Sequence, residues 1–347
     1  MSEMTSRERV CAVLAGDLPD RVPYFELSVD YPFVCRLLDR PEEDLGEYFE
    51  SGEVKTAPLD MQLELNARLH RDNLTSELRP PLPATKSEGE AHMRFFMDGG
   101  LQTREDLEGL EFPDLDSEEV RGPVREFMAQ RGDYATALAT RVGMSATYLG
   151  MGMERFYLML ADDPEFVGQV FSRYVDYSSA AVRLAAEMGF DVIWTADDIA
   201  GKGGMLWSPA MFREIFTPHI RRFAEVVRET GIAWIYHSDG DLSALLPDLV
   251  EMGITGFNPI EPQCMDIAAV REAFPELVLV GNVDVDYLSR GSPERVRENV
   301  RDLIARLGPH GRYMVSSGNS VATYCVEENV LAMGDAVVEF GKYPIAL

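Results

Sequence analysis

The stretch GIAWIYHSDGD, residues 231–241, decides the fold. Residues 232–236 form a nearly unbroken apolar run of β-branched and aromatic side chains, which suits a strand buried on both faces. The run stops abruptly at His237-Ser238-Asp239-Gly240-Asp241. A helical pattern follows over 242–252, and Asp241 stands where its N-cap belongs. Strand, polar turn and helix in that order put an imidazole and two carboxylates at the carboxyl end of a buried strand, where α/β proteins assemble sites from loops. The plain alternative is an Asp- and Gly-rich turn holding one incidental histidine.

The same rhythm repeats on both sides. Downstream, strands are expected over 254–258, 277–280 and 313–316, ending in NPIEP, GNVD and SSGNS, with helices over 266–274, 292–307 and 327–340. Upstream, a strand over 190–195 runs into Asp197-Asp198, and a helix over 209–230 has Ser208 as cap and Pro209 in its first turn. A strand over 134–140 leaves Arg141 at its end, and helices are expected over 116–131, 152–160 and 164–188. A first helix over 5–14, capped by Thr5 or Ser6 and closed by Gly16, precedes a strand over 22–27 with Glu26 near its exit. Helices over 30–38 and 42–50 and a strand over 54–59 ending at Asp60 come next. The charged, alternating stretch 63–100, with RPPLP at 79–83, reads as a β-hairpin insertion over the mouth of the fold. Eight strands alternating with helices predict one α/β domain over 1–347. It is a (β/α)8 TIM barrel with an N-terminal helical extension and that hairpin insertion. No GxGxxG follows the first strand, which disfavours a dinucleotide fold, and GKGG at 201–204 lacks P-loop spacing and reads as a flexible lid element.

Composition narrows the function. The formal net charge of −27 argues against nucleic acid, which needs a basic footprint, and against a polyanionic substrate unless local arginines prevail. The 46% hydrophobic content is ample for a core. Four widely spaced cysteines, Cys11, Cys35, Cys264 and Cys325, with no CxxC pair, fit reduced thiols rather than a disulfide framework. The charged N-terminus and the lack of any run of about 20 apolar residues predict a soluble, cytoplasmic protein with no membrane partner.

On a barrel the strand ends share one rim. It would gather Glu26, Asp60, Arg141, Asp197, Asp198, His237, Asp239, Glu261, Asn282, Asp284, Ser317 and Asn319. One histidine among many carboxylates suits a divalent metal, proton transfer or both. His237 and Asp239, two apart, could ligate one ion with Glu261 as a third ligand; otherwise Asp239 caps the turn and His237 sits in a hydrogen-bonded network. Asp197 and Asp198 could position a substrate or act as general acid, or form a structural cap pair. Arg141 could fork onto a substrate carboxylate or pair with the acidic rim. Glu26, Asn282, Asp284 and Asn319 complete the candidate substrate-binding set, with Asn282 and Asp284 favoured as scaffold.

The chain resembles the uroporphyrinogen decarboxylase superfamily over essentially its whole length. The resemblance rests on TSRERVCAVLAGDLPDRVP (5–23), GMERFYLMLADDPE (152–165), ADDIAGKGGMLWSPAMFREIFTPHIRRF (196–223), HSDGD (237–241), GNVD (281–284) and SSGNSVATYCVEENVLAM (316–333). It implies a barrel with its site at the carboxyl rim, and often a homodimer. True uroporphyrinogen decarboxylases share an RQAGRY-like segment after the first strand, whose arginines meet substrate carboxylates; here Glu26-Leu27-Ser28-Val29-Asp30-Tyr31 stands in that place. The other branch, corrinoid-dependent methyltransferases, carries zinc on a His-x-Cys after the fifth strand and a Cys after the eighth. This sequence keeps His237, has Asp239 at the first cysteine position, and Gly318-Asn319 near the second. The resemblance therefore implies a methyltransferase-like enzyme. It would use zinc and a corrinoid (cobalamin) supplied by a partner protein, and demethylate a small compound. A decarboxylase of a small or tetrapyrrole carboxylate and a non-catalytic ligand- or corrinoid-binding barrel are the alternatives.

Overall fold

The structure is a computed structural model that describes residues 3–42, 57–88 and 94–346. Seven parallel strands curl into one sheet: β1 (Asn73–Glu77), β4 (Ala135–Thr140), β5 (Val192–Ala196), β8 (Ala233–His237), β9 (Gly256–Asn258), β10 (Val278–Val283) and β11 (Tyr313–Ser317). The remaining strands are small antiparallel pairs, β2 (Ala84–Glu88) with β3 (Arg94–Gly99) and β6 (Ala200–Gly201) with β7 (Gly204–Met205).

Residues 22–27 supply the eighth stave. Tyr24 bridges Val315 in parallel, Phe25 N–H donates to the Val315 carbonyl, and on the other side Asp72 N–H donates to the Tyr24 carbonyl. The inward side chains form their own cluster, with Phe25, Leu27, Ala135, Ala137, Ala139, Trp194, Ile235, Val280 and Met314 among them. The Phe25 and Trp194 rings stack at 5.3 Å between centroids, from well-separated staves, and the three alanines of β4 make room for them. This is the packed interior of a barrel, not a pore.

Helix Ser6–Ala15 closes the end opposite the carboxyl rim. Thr5 and Glu8 form its capping box, Gly16 ends it with φ +88°, and Val10 and Val13 join the interior cluster. The opening segment earns its sequence signature structurally. Arg9 pairs with Asp20 and Asp72 (both 2.7 Å), Arg21 pairs with Asp72 (2.9 Å), and Asp72 also accepts Tyr24 N–H (2.8 Å).

Several expectations need correction. The strand over 54–59 is not the second stave. Residues 54–56 fall outside the described residues, as does 43–50 of the expected 42–50 helix, and helix Leu59–Leu69 begins where the strand was to end. The second stave is β1, with the polar sequence NLTSE, so an apolar-run reading passes over it. Asp60 accordingly leaves the rim for an exposed helical turn, 3.1 Å from Arg40. Residues 63–100 are only in part an insertion, because they hold most of helix Leu59–Leu69 and β1; the hairpin is confined to β2 and β3. Helix 209–230 is two helices, Pro209–Ile215 and Thr217–Thr230, divided where Pro218 withholds its N–H.

Candidate functional site

Parity on β8 aims His237. Ile235 belongs to the interior cluster and Trp234 and Tyr236 to the layer under the helices, so His237, two after Ile235, faces inward at the rim. It is paired in register with Ala196 of β5 and Asn258 of β9. His237 Nδ1 lies 2.5 Å from Asn258 Oδ1, and Asn258 Nδ2 donates to the Val280 carbonyl at 3.0 Å. A carbonyl oxygen only accepts, so the amide nitrogen belongs on Val280 and Oδ1 faces an Nδ1–H donor. Nε2 is left to face the mouth, 3.5 Å from Asp239 Oδ1 and 3.8 Å from Asp198 Oδ1.

Asp198, His237 and Asp239 each offer one ligand atom within 4.8 Å of the others. Asp239 Oδ2 accepts from Asn319 Nδ2 at 2.7 Å, whereas Oδ1 is buried without a hydrogen-bond donor. Burial pushes the Asp239 carboxyl up to about 6; His237 pulls it back, and the charges of Asp198 and Glu261 push it further up. Asp198 Oδ1 also accepts Asp239 N–H at 3.1 Å, which ties the two turns together.

Glu261 does not join this set. Its Oε2 accepts Gly240 N–H at 2.6 Å and faces Cys264 Sγ at 3.5 Å, bracing the turn from outside; the third group that converges on His237 and Asp239 is Asp198. Asp197 is wholly buried. Its carboxylate accepts from Val142 N–H (2.5 Å), Gly143 N–H (3.2 Å), Ser145 N–H (2.9 Å) and Ser145 Oγ (3.0 Å). Burial raises its carboxyl, while these donors and nearby Arg141 favour the ionised form. Asp197 therefore holds the 142–145 loop and the start of helix Met144–Met151, with Arg141 buried beside it.

Three of the candidate substrate-binding residues are engaged by the scaffold, as the sequence favoured for Asn282 and Asp284. Glu26 is fully buried and accepts from Ser316 Oγ (3.1 Å), Ser317 N–H (3.0 Å) and Ser317 Oγ (2.8 Å), because Phe25 and Leu27 hold the inward positions of that stave. Asn282, at φ +76°, donates to the Ile260 carbonyl. Asp284 caps helix Val285–Arg290 through Asp286 N–H and accepts from Gln263 Nε2 at 3.1 Å. Asn319, by contrast, belongs to the site through Asp239. Asp241 accepts Ser243 N–H in a turn, and the helix after it is the shorter Leu246–Met252. The GKGG run forms the β6–β7 ribbon, packed on the HSDGD turn: Asp241 N–H donates to the Gly201 carbonyl, and a Cβ on Gly240 would meet Gly201 N at 2.5 Å.

The profile of the uroporphyrinogen decarboxylase (URO-D) family matches residues 104–340, which include every member of the cluster. The chain belongs to the uroporphyrinogen decarboxylase family. One URO-D relative, the uroporphyrinogen decarboxylase of Anaeromyxobacter dehalogenans (strain 2CP-C), is 30% identical over 129 residues, 37% of this chain and 36% of that protein. The match thus spans little more than a third of that relative. A methyltransferase from Methanosarcina mazei has the same fold, with a TM-score of 0.77 at 19% identity, covering 97% of this chain and 99% of its own. A B12-independent methionine synthase from Shewanella sp. W3-18-1 superposes with a TM-score of 0.55 at 9% identity, covering 92% and 96%. Among the described residues no helix is long and apolar enough to cross a membrane.

Proposed function

We propose that this URO-D family enzyme is methyltransferase-like. It moves a methyl group between a small methylated compound and a corrinoid carried by a partner protein, with a divalent metal, zinc in the first instance, held by Asp198, His237 and Asp239. The observation that carries the reading is the convergence of His237 Nε2 with the donor-less, buried Asp239 Oδ1 and with Asp198 Oδ1. Neutral imidazole and two carboxylates cancel a 2+ charge, as imidazole and two thiolates would. Imidazole nitrogen and carboxylate oxygen are donors zinc accepts, and three protein ligands would leave an open position. When bound, the metal would supply Lewis acidity toward the heteroatom that gives up or accepts the methyl group. The oxygen-rich set is harder than the His-x-Cys arrangement and favours an oxygen-bearing ligand over a thiol. The chain's own residues prepare the site: Asn258 and Asn319 orient the donors, and Asp197 fixes the 142–145 loop beside them.

Elemental analysis of protein purified without chelating resin tests this. About one equivalent of zinc per chain is expected, lost in His237→Ala, Asp239→Ala and Asp198→Ala. A folded wild-type protein that holds no metal after zinc-replete growth would sink the reading. Methyl exchange with free cobalamin is the next assay.

Decarboxylation of a small carboxylate is the second reading. The name of the Anaeromyxobacter relative favours it, as does a buried arginine, Arg141, at the strand end. Against it, segment 26–31 offers acids where arginines would meet carboxylates, and Glu26 and Asp30 are buried on their own partners, Ser316, Ser317 and Thr323. Carbon dioxide release by metal-free protein would decide for it.

A further inference from the structure

Two asparagines frame the His237–Asp239 pair, and neither is a ligand. Asn258 is fully buried at the end of β9, and its amide is held at both ends, by His237 Nδ1 at 2.5 Å and by the Val280 carbonyl at 3.0 Å. Rotating that amide by half a turn would set its oxygen against the Val280 carbonyl, two acceptors face to face. It would also point an N–H at Nδ1 and so move the imidazole proton to Nε2. The Val280 carbonyl is thus a lock on the tautomer. Asn319 reaches in from the loop after β11 and donates to Asp239 Oδ2 at 2.7 Å, leaving Oδ1 as the buried oxygen that faces Nε2 at 3.5 Å.

We infer that Asn258 and Asn319 are positioning residues: Asn258 commits His237 to the Nδ1–H form so that Nε2 alone presents a lone pair to the mouth, and Asn319 selects which Asp239 oxygen joins it. The assignment to metal binding rests on the reading proposed above, whereas the tautomer does not. The two asparagines act on different atoms, so their effects separate. Asn258 governs the imidazole proton and Asn319 governs the carboxylate.

The direct test needs no variant. In metal-free wild-type protein, at a pH where the shifts show the ring to be neutral, the side-chain 15N shifts of His237 should report a protonated Nδ1 and a bare Nε2. An Nε2–H tautomer overturns the inference. Asn258→Ala should convert those shifts toward a tautomer mixture, and Asn319→Ala should leave the shifts unchanged. Zinc affinity should fall about 10- to 100-fold in both Asn258→Ala and Asn319→Ala. Folded alanine variants with wild-type shifts and affinity would also overturn it. Should the wild type show the expected tautomer and bind no zinc, the metal reading fails while Asn258 keeps its positioning role.

Discussion

One inward-or-outward choice separates Glu26 from the site. Phe25 and Leu27 take the inward positions, so Glu26 lies in the wall, where burial pushes its carboxyl up to about 7 against the pull of Ser316 and Ser317. Its ordinary value is 4.5. Below that pH the group is protonated in both states and costs nothing. Between 4.5 and 7 the unfolded chain ionises while the folded one holds its proton, so stability declines as pH rises, and above 7 the whole penalty is present. The upper bound is roughly 3 kcal/mol. Glu26→Gln should remove this slope: its stability relative to wild type, from urea midpoints, should rise steadily between pH 5 and pH 8. Parallel profiles would refute the assignment. At this scale the sequence reveals only what is adjacent. His237 and Asp239 are legible because they share one turn, and Asp198 is visible as a rim acid but not as their partner. Asn258 is hidden, since it reaches His237 across a strand pairing 21 residues away and reads in sequence as the start of an Asn-Pro turn.

At the scale of elements, the β6–β7 ribbon depends on Gly240. With φ +85° and backbone atoms of Ala200 and Gly201 within 2.7 Å of where a Cβ would stand, no side chain fits. Gly240→Ala should lift the ribbon from the turn at a local cost of about 1–3 kcal/mol and loosen the backbone around Lys202, which is already exposed at its tip. Trypsin should then cleave at Lys202 markedly faster than in wild type, while the far-UV spectrum stays unchanged. Equal cleavage rates would mean the turn relaxes instead. The later strands were legible to within three residues at either end, because apolar runs ending in polar turns mark staves buried on both faces. The early ones were not. β1 is NLTSE, and its burial comes from side-chain bonds such as Gln62 to the backbone of Thr75 and Asn66 to the Asn73 carbonyl. The stave at 22–27 was read correctly as extended, yet its side-chain parity follows only from closure against Val315.

Across the whole molecule, two sets of contacts hold distant strands together, and they can be weakened separately. Inside, Phe25 stacks on Trp194, and the cost of Trp194→Ala should be about 3–5 kcal/mol, since flanking alanines cannot fill the space. At the rim, Asp198 follows β5 while His237 and Asp239 stand at the end of β8, so an ion held there would tie two staves directly and a third, β11, through the Asn319–Asp239 hydrogen bond, and would bind only the folded chain. Zinc at about a hundred times its dissociation constant should then add about 2.7 kcal/mol and raise Tm by a few degrees. The two effects should add, because the interior stack and the rim share no partner. Trp194→Ala should melt lower but gain the same increment from zinc. His237→Ala should melt near the metal-free wild type and gain nothing. If Trp194→Ala lost the zinc increment while remaining folded, the rim would not be preorganised independently of the packed interior, and the site would be built by the barrel's filling rather than by its turns.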